Sequence, residues 1–263
     1  MPSSLVDAFV YFPDRQLYGD PADVGLAFTD LTIPTEDGER LHGWWIPARG
    51  RPARGHVLFF HGNAGNVSHR LEHALALTAA GLDLLLVDYR GYGRSTGRPS
   101  EDGLYRDARA SLAALRAGGQ TGPARVVIMG ESLGAAVALW LALQDPPAGL
   151  VLQSAFTSLR DMARVHYPWA PAALVGDGFP SLDRIPKLRV PVLVLHGDRD
   201  EIVPVAQGRA LYAAAPEPRR LEVVAGAGHN DLVDVMGASY GTVVAEWLES
   251  ASRAGPTLPP DVD

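Results

Sequence analysis

The 263-residue chain contains no cysteine, which excludes a disulfide framework, a thiolate metal site and a cysteine nucleophile. Basic residues are scarce relative to acidic ones, 23 Lys and Arg against 30 Asp and Glu, and no basic run occurs. A net charge of -7 argues against a protein that grips nucleic-acid phosphates. Long apolar runs are missing too. The leading stretch MPSSLVDAFVYFPDRQL has no basic start and is interrupted by Asp7, Pro13 and Asp14. Neither a signal peptide nor a spanning helix is expected there, membrane association is not indicated, and a cytoplasmic location is the default.

What is present fits one domain over residues 1–263, since 47% of the residues are hydrophobic and 20% charged. Short β-branched or leucine-rich runs alternate with alanine-rich stretches of helical period. That pattern predicts an α/β fold with a mostly parallel sheet covered by helices on both faces. Two alternating runs flank Glu36-Asp37-Gly38 and predict an antiparallel hairpin ahead of it. Six further strands are expected at 56–61, 82–89, 125–130, 149–154, 191–197 and 220–224. In SHRLEHALALTAAG, Leu71, Leu75 and Thr78 are expected on one face, with Ser68 as N-cap and Gly81 as the C-terminal stop. Ser100 before acidic residues predicts another helix start. The segment 155–189 is longer than a plain crossover and rich in aromatics and prolines, so it reads as either a small cap after the sixth strand or an irregular crossover. The proline-rich end, 255–263, is expected to be disordered.

Chemistry centres on VIMGESLGAA, where a Gly-x-Ser-x-Gly joins an apolar strand to a small-residue helix. Five letters alone are weak evidence, but a strand, tight turn and helix in that order are what a nucleophile elbow requires. Gly130 and Gly134 then have a steric purpose, and the Ser132 hydroxyl is left exposed at a helix N-terminus. A serine hydroxyl needs a histidine to take its proton and a carboxylate to orient that histidine. The loops after the last two strands supply them: Asp198 and Asp200 in HGDRDEIVP, and His229 in GAGHND.

Taken together, HGNAGN (61–66), DYRGYGRSTGRPSEDGLYRDA (88–108), GESLG (130–134), SAFTSLRDMA (154–163), HGDRDEIVP (196–204) and GAGHND (226–231) resemble the α/β-hydrolase superfamily, within it the esterase-like Bem46 branch. The resemblance implies an eight-stranded α/β-hydrolase fold and a Ser132, Asp200, His229 triad, choosing Asp200 over Asp198. It also implies an oxyanion hole from the backbone N–H groups of Asn63 and Leu133. Small-molecule or lipid-like acyl esters are the expected substrates, with Phe156, Tyr167 and Trp169 as pocket candidates and no cofactor or metal required. Thioester, acyl-protein or peptide cleavage by the same triad is the alternative, and a non-catalytic binding protein of the same fold is a third reading.

Other residues receive structural readings. His61 and His196 each precede a glycine at a strand end and are expected to brace their own loops. His69 and His73, four apart, are read as a solvated helix face, because no third ligand with zinc spacing is visible. Arg90 and Arg94 lie in a glycine-rich turn without a phosphate-loop lysine and are expected to pair with nearby carboxylates. Glu131 is expected to brace neighbouring loops.

Overall fold

In the computed structural model, which describes residues 10–50, 52–118, 126–169 and 177–254, eight strands form one sheet. They are β1 (Thr29–Pro34), β2 (Arg40–Ile46), β3 (Gly55–Phe60), β4 (Leu82–Val87), β5 (Val126–Glu131), β6 (Gly149–Gln153), β7 (Val192–Gly197) and β8 (Arg219–Val224). Their spatial order is β8-β7-β6-β5-β3-β4-β2-β1. Neighbours from β8 to β4 run parallel, whereas β2 is antiparallel to both β4 and β1. This is the expected α/β-hydrolase sheet with its antiparallel hairpin, and Gly38, at φ +88°, makes the hairpin turn a side chain would strain.

The continuous apolar runs of β3 to β7 follow from burial on both faces. Alternate residues sort cleanly: Val57, Phe59, Val127 and Met129 enter one core, and Leu58, Phe60, Ile128 and Leu152 the other. Helices α1 (Leu71–Ala79) and α6 (Ala238–Ala254) cover the first face through Leu77, Tyr240 and Trp247. Helices α2 (Glu101–Ala117), α3 (Leu133–Gln144) and α5 (Val205–Ala214) cover the second through Leu104, Val137 and Leu211. Ser100 caps α2 by accepting from the Gly103 N–H, as its position predicts.

Helix α1 departs from its sequence reading in two ways. A 3₁₀ turn, Val67–Arg70, precedes it, and Asn66 rather than Ser68 is the cap, accepting from the Ser68 N–H at 2.9 Å while the Asn66 N–H donates to His69 Nδ1. The buried stripe is His73, Ala74, Leu77 and Thr78, with Leu71 and Leu75 half-buried. The cause is a second neighbour: a Cβ at Gly241 of α6 would lie 2.0 Å from the Ala76 carbonyl oxygen, so α1 is pressed by α6 as well as by the sheet.

Between β6 and β7 the chain forms α4 (Leu159–His166), capped by Ser158, and a one-turn helix, Ser181–Arg184. Phe179 is buried there against Phe156 and Tyr105. Residues 170–176 of this crossover and the tail 255–263, for which disorder was expected, lie outside the described residues. Among the described residues, no helix is long and apolar enough to cross a membrane.

Candidate active site

Ser132 sits between the last residue of β5 and the first of α3 with φ +53° and ψ −114°, a backbone conformation that L-residues rarely adopt. The flanking glycines permit it. A Cβ at Gly130 would lie 2.1 Å from the Gly134 oxygen, and one at Gly134 would lie 2.1 Å from the Phe60 oxygen. The Ser132 N–H is fixed on the Gln153 carbonyl at 2.8 Å. As the first residue of α3, Leu133 carries an N–H that has no acceptor one helical turn back.

Two later loops meet this serine. His229 Nε2 is 3.1 Å from Ser132 Oγ, where it can accept the hydroxyl hydrogen, and His229 Nδ1 donates to Asp200 Oδ2 at 2.7 Å. The other Asp200 oxygen accepts from the N–H groups of Ile202 (3.0 Å) and Val203 (2.7 Å). His196 Nε2 donates to the Val203 carbonyl at 2.8 Å and lies 3.4 Å from Asp200 Oδ2. Burial alone would raise the Asp200 pKa. The hydrogen bonds and charges around it outweigh burial and hold the carboxyl well below the usual range, so it is ionised at neutral pH. Asp198 has a different partner, accepting from the Gly226 N–H at 2.7 Å.

The loop after β3 runs past the same serine. A Cβ at Gly62 would lie 3.4 Å from Arg70 Nη2, 3.6 Å from Glu131 Oε1 and 3.7 Å from Ser132 Cβ. Arg70 forks onto the buried Glu131, with Nη2 donating to Oε1 at 3.1 Å and Nε to Oε2. This pair bridges the loop and the turn that carries Ser132, and it holds the Glu131 carboxyl low despite burial that would raise it. The opposite side of the loop is tied to the leading segment. Asn63 donates to the Val10 carbonyl and accepts from the Phe12 N–H, Asp14 N–H donates to the Gly65 carbonyl, and Asn66 donates to the Asp14 and Gln16 carbonyls. The sequence reading gives neither Arg70 nor the leading segment a part in this site, since contacts 50 or more residues apart leave no local signature.

His73 is buried, edge-on to Phe59 and Tyr240, and Gln153 Nε2 donates to its Nε2 at 3.4 Å. The solvated-face reading therefore fails for His73, whose pKa burial pushes down to about 4. His69 is spent on its local turn. Among the described residues, no group of three or more His, Asp or Glu is arranged to hold a metal ion. Arg90 pairs with Asp37 and Asp107, and Arg94 with Asp30. The pocket candidates separate: Phe156 belongs to the core, whereas Tyr167 and Trp169, 47% and 82% exposed, touch each other edge-on beyond α4.

Comparison with known proteins agrees with this architecture. Residues 51–176 and 178–235 match the family described as Hydrolase_4, serine aminopeptidase S33. An uncharacterized Mycobacterium tuberculosis protein is 49% identical over 223 residues, covering 84% of this chain and 79% of its own. The protein bem46 of Schizosaccharomyces pombe is 32% identical over 243 residues, covering 89% and 81%. Among solved structures, a Pyrococcus furiosus esterase superimposes with a TM-score of 0.76 at 22% identity, over 92% of this chain and 98% of that one, a likeness of fold. The chain belongs to the Hydrolase_4 family of α/β hydrolases.

Proposed function

We propose that this protein is a serine hydrolase that cleaves carboxylic esters through an acyl-enzyme on Ser132. The observation that carries the reading is the alignment of Ser132 Oγ, His229 and Asp200 at 3.1 and 2.7 Å on a strained strand-to-helix turn. His229 Nε2 takes the hydroxyl proton as Oγ attacks the ester carbonyl, and Asp200 stabilises the imidazolium that forms. The N–H groups of Asn63 and Leu133 receive the oxyanion, each such donor being worth on the order of 3 kcal/mol to the transition state. Collapse of the tetrahedral intermediate passes the proton from His229 to the departing alcohol. Water, activated by the same imidazole, then frees the acid.

Aminopeptidase chemistry would add a need to hold a substrate ammonium. Glu131, the carboxylate beside the nucleophile, is spent on Arg70, which favours neutral acyl substrates of ester or thioester type. The test is labelling with a fluorophosphonate probe, followed by turnover of ester, thioester and amide substrates sharing one acyl chain. Native protein is expected to label and to prefer the oxygen ester, and Ser132→Ala to do neither. A folded native protein that stays unlabelled would falsify the reading.

A further inference from the structure

We propose that Asp88, packed against His61, positions the oxyanion-binding peptide, and that His42 completes a buried polar relay leading to it from the protein surface. The proposal rests on the serine-hydrolase reading above.

In a trans peptide the carbonyl and the N–H point in opposite directions, so whatever anchors the Gly62 oxygen also aims the Asn63 N–H. His61 Nδ1 lies 2.7 Å from that oxygen, and since a carbonyl can only accept, Nδ1 carries the hydrogen. The imidazole has no freedom to wander. It is fully buried, its ring lies 4.7 Å from that of Tyr89 and 5.2 Å from that of Tyr92, and Tyr89 donates to the His61 carbonyl at 3.0 Å.

Behind it stands Asp88, also fully buried, with Oδ1 3.5 Å from His61 Nε2. The same Oδ1 accepts the Val67 N–H at 2.9 Å. One carboxylate therefore meets both ends of the loop 61–67, packing against the His61 side chain at its start and accepting a backbone N–H at its finish. Oδ2 accepts from His42 Nδ1 at 3.1 Å, and His42 Nε2 lies 2.9 Å from Asp30 Oδ1, which is half-exposed and paired with Arg94. The turn after β4 wraps the carboxylate so closely that a Cβ at Gly93 would fall 2.0 Å from Oδ2. A carboxylate that only stabilised the fold would not need to hold both ends of the loop facing Ser132. This arrangement keeps the peptide in its receiving orientation before charge develops, which is how preorganised donors lower a barrier.

The test uses the two amide mimics of histidine. In His61→Asn the side-chain nitrogen takes the place of Nδ1, and in His61→Gln it takes the place of Nε2. With a p-nitrophenyl ester, His61→Gln is expected to lose about 100-fold in kcat with KM within about twofold of native, and His61→Asn to recover at least about tenfold of that loss. Asp88→Asn, nearly isosteric, is expected to lose about tenfold in kcat at unchanged KM and decides the matter on the same criterion if the His61 variants do not fold. Fluorophosphonate labelling rates should fall in parallel. The relay is overturned if folded His61→Gln keeps native kcat, if the Asn and Gln variants lose equally, or if the loss lies in KM. In each of those cases native protein would still label at Ser132, whereas failure of native protein to label would refute the serine-hydrolase reading itself.

Discussion

Replacing His73 tests whether the buried polar layer behind Ser132 is built around a neutral imidazole. Burial lowers the His73 pKa from 6.5 to about 4, the attraction of Glu131 and the repulsion of Arg70 acting in opposite directions. Gln153 donates to His73 Nε2, so protonation would set two donors against each other across 3.4 Å. The unfolded chain takes up the proton as pH falls through 6.5, and the folded chain does so only near 4. The unfolded state therefore binds more protons in that window, and stability is full above 6.5 and lost progressively down to 4. The gap between 6.5 and about 4 corresponds to roughly 3 kcal/mol, most of which is lost by pH 4.5. Urea unfolding of native protein and His73→Gln at pH 7.5, 6, 5 and 4.5 isolates this contribution, because all other titrating groups are shared. The stability of native protein relative to the variant should fall by about 2–3 kcal/mol between pH 7.5 and 4.5. A difference that stays flat over that range would refute the neutral-imidazole reasoning.

The assignment of the acid is open to a paired comparison. Asp200→Asn should lower kcat by about 10⁴ while the protein stays folded, whereas Asp198→Asn, which alters only the contact to Gly226, should leave ester turnover within about twofold. Gly134→Ala forces a methyl into the Phe60 carbonyl and should cost about 3 kcal/mol in urea unfolding, together with most of the esterase rate. Native stability and rate in that variant would show that the turn has room the structure denies it.

Much of the fold was legible because parallel strands buried on both faces read as near-continuous apolar runs, and five such runs stand in the sequence between helical stretches. The turn at Ser132 was legible for a related reason: Gly130 and Gly134 answer to backbone oxygens a few residues away or on the adjacent strand, so the constraint is written in the motif itself. His73 was not legible. Its helix is covered on a second side by α6, more than 160 residues later, and helical spacing reports which residues share a face without reporting how many neighbours press on the helix. Arg70, Asp88 and the leading segment were missed for the same reason. Each acts through partners far away in the sequence, and a lone arginine or aspartate does not name its partner.

The leading segment also gives the enzyme a mechanical character. Val10, Phe12 and Asp14 are stitched to Asn63, Gly65 and Asn66, so a pull on Val10 reaches the loop beside Ser132 directly. A misplacement of about 1 Å at a reacting site can cost about 100-fold in rate. A load applied at Val10 is therefore carried first into Asn63 and the loop beside Ser132, so ester turnover is expected to fall under load before unfolding begins.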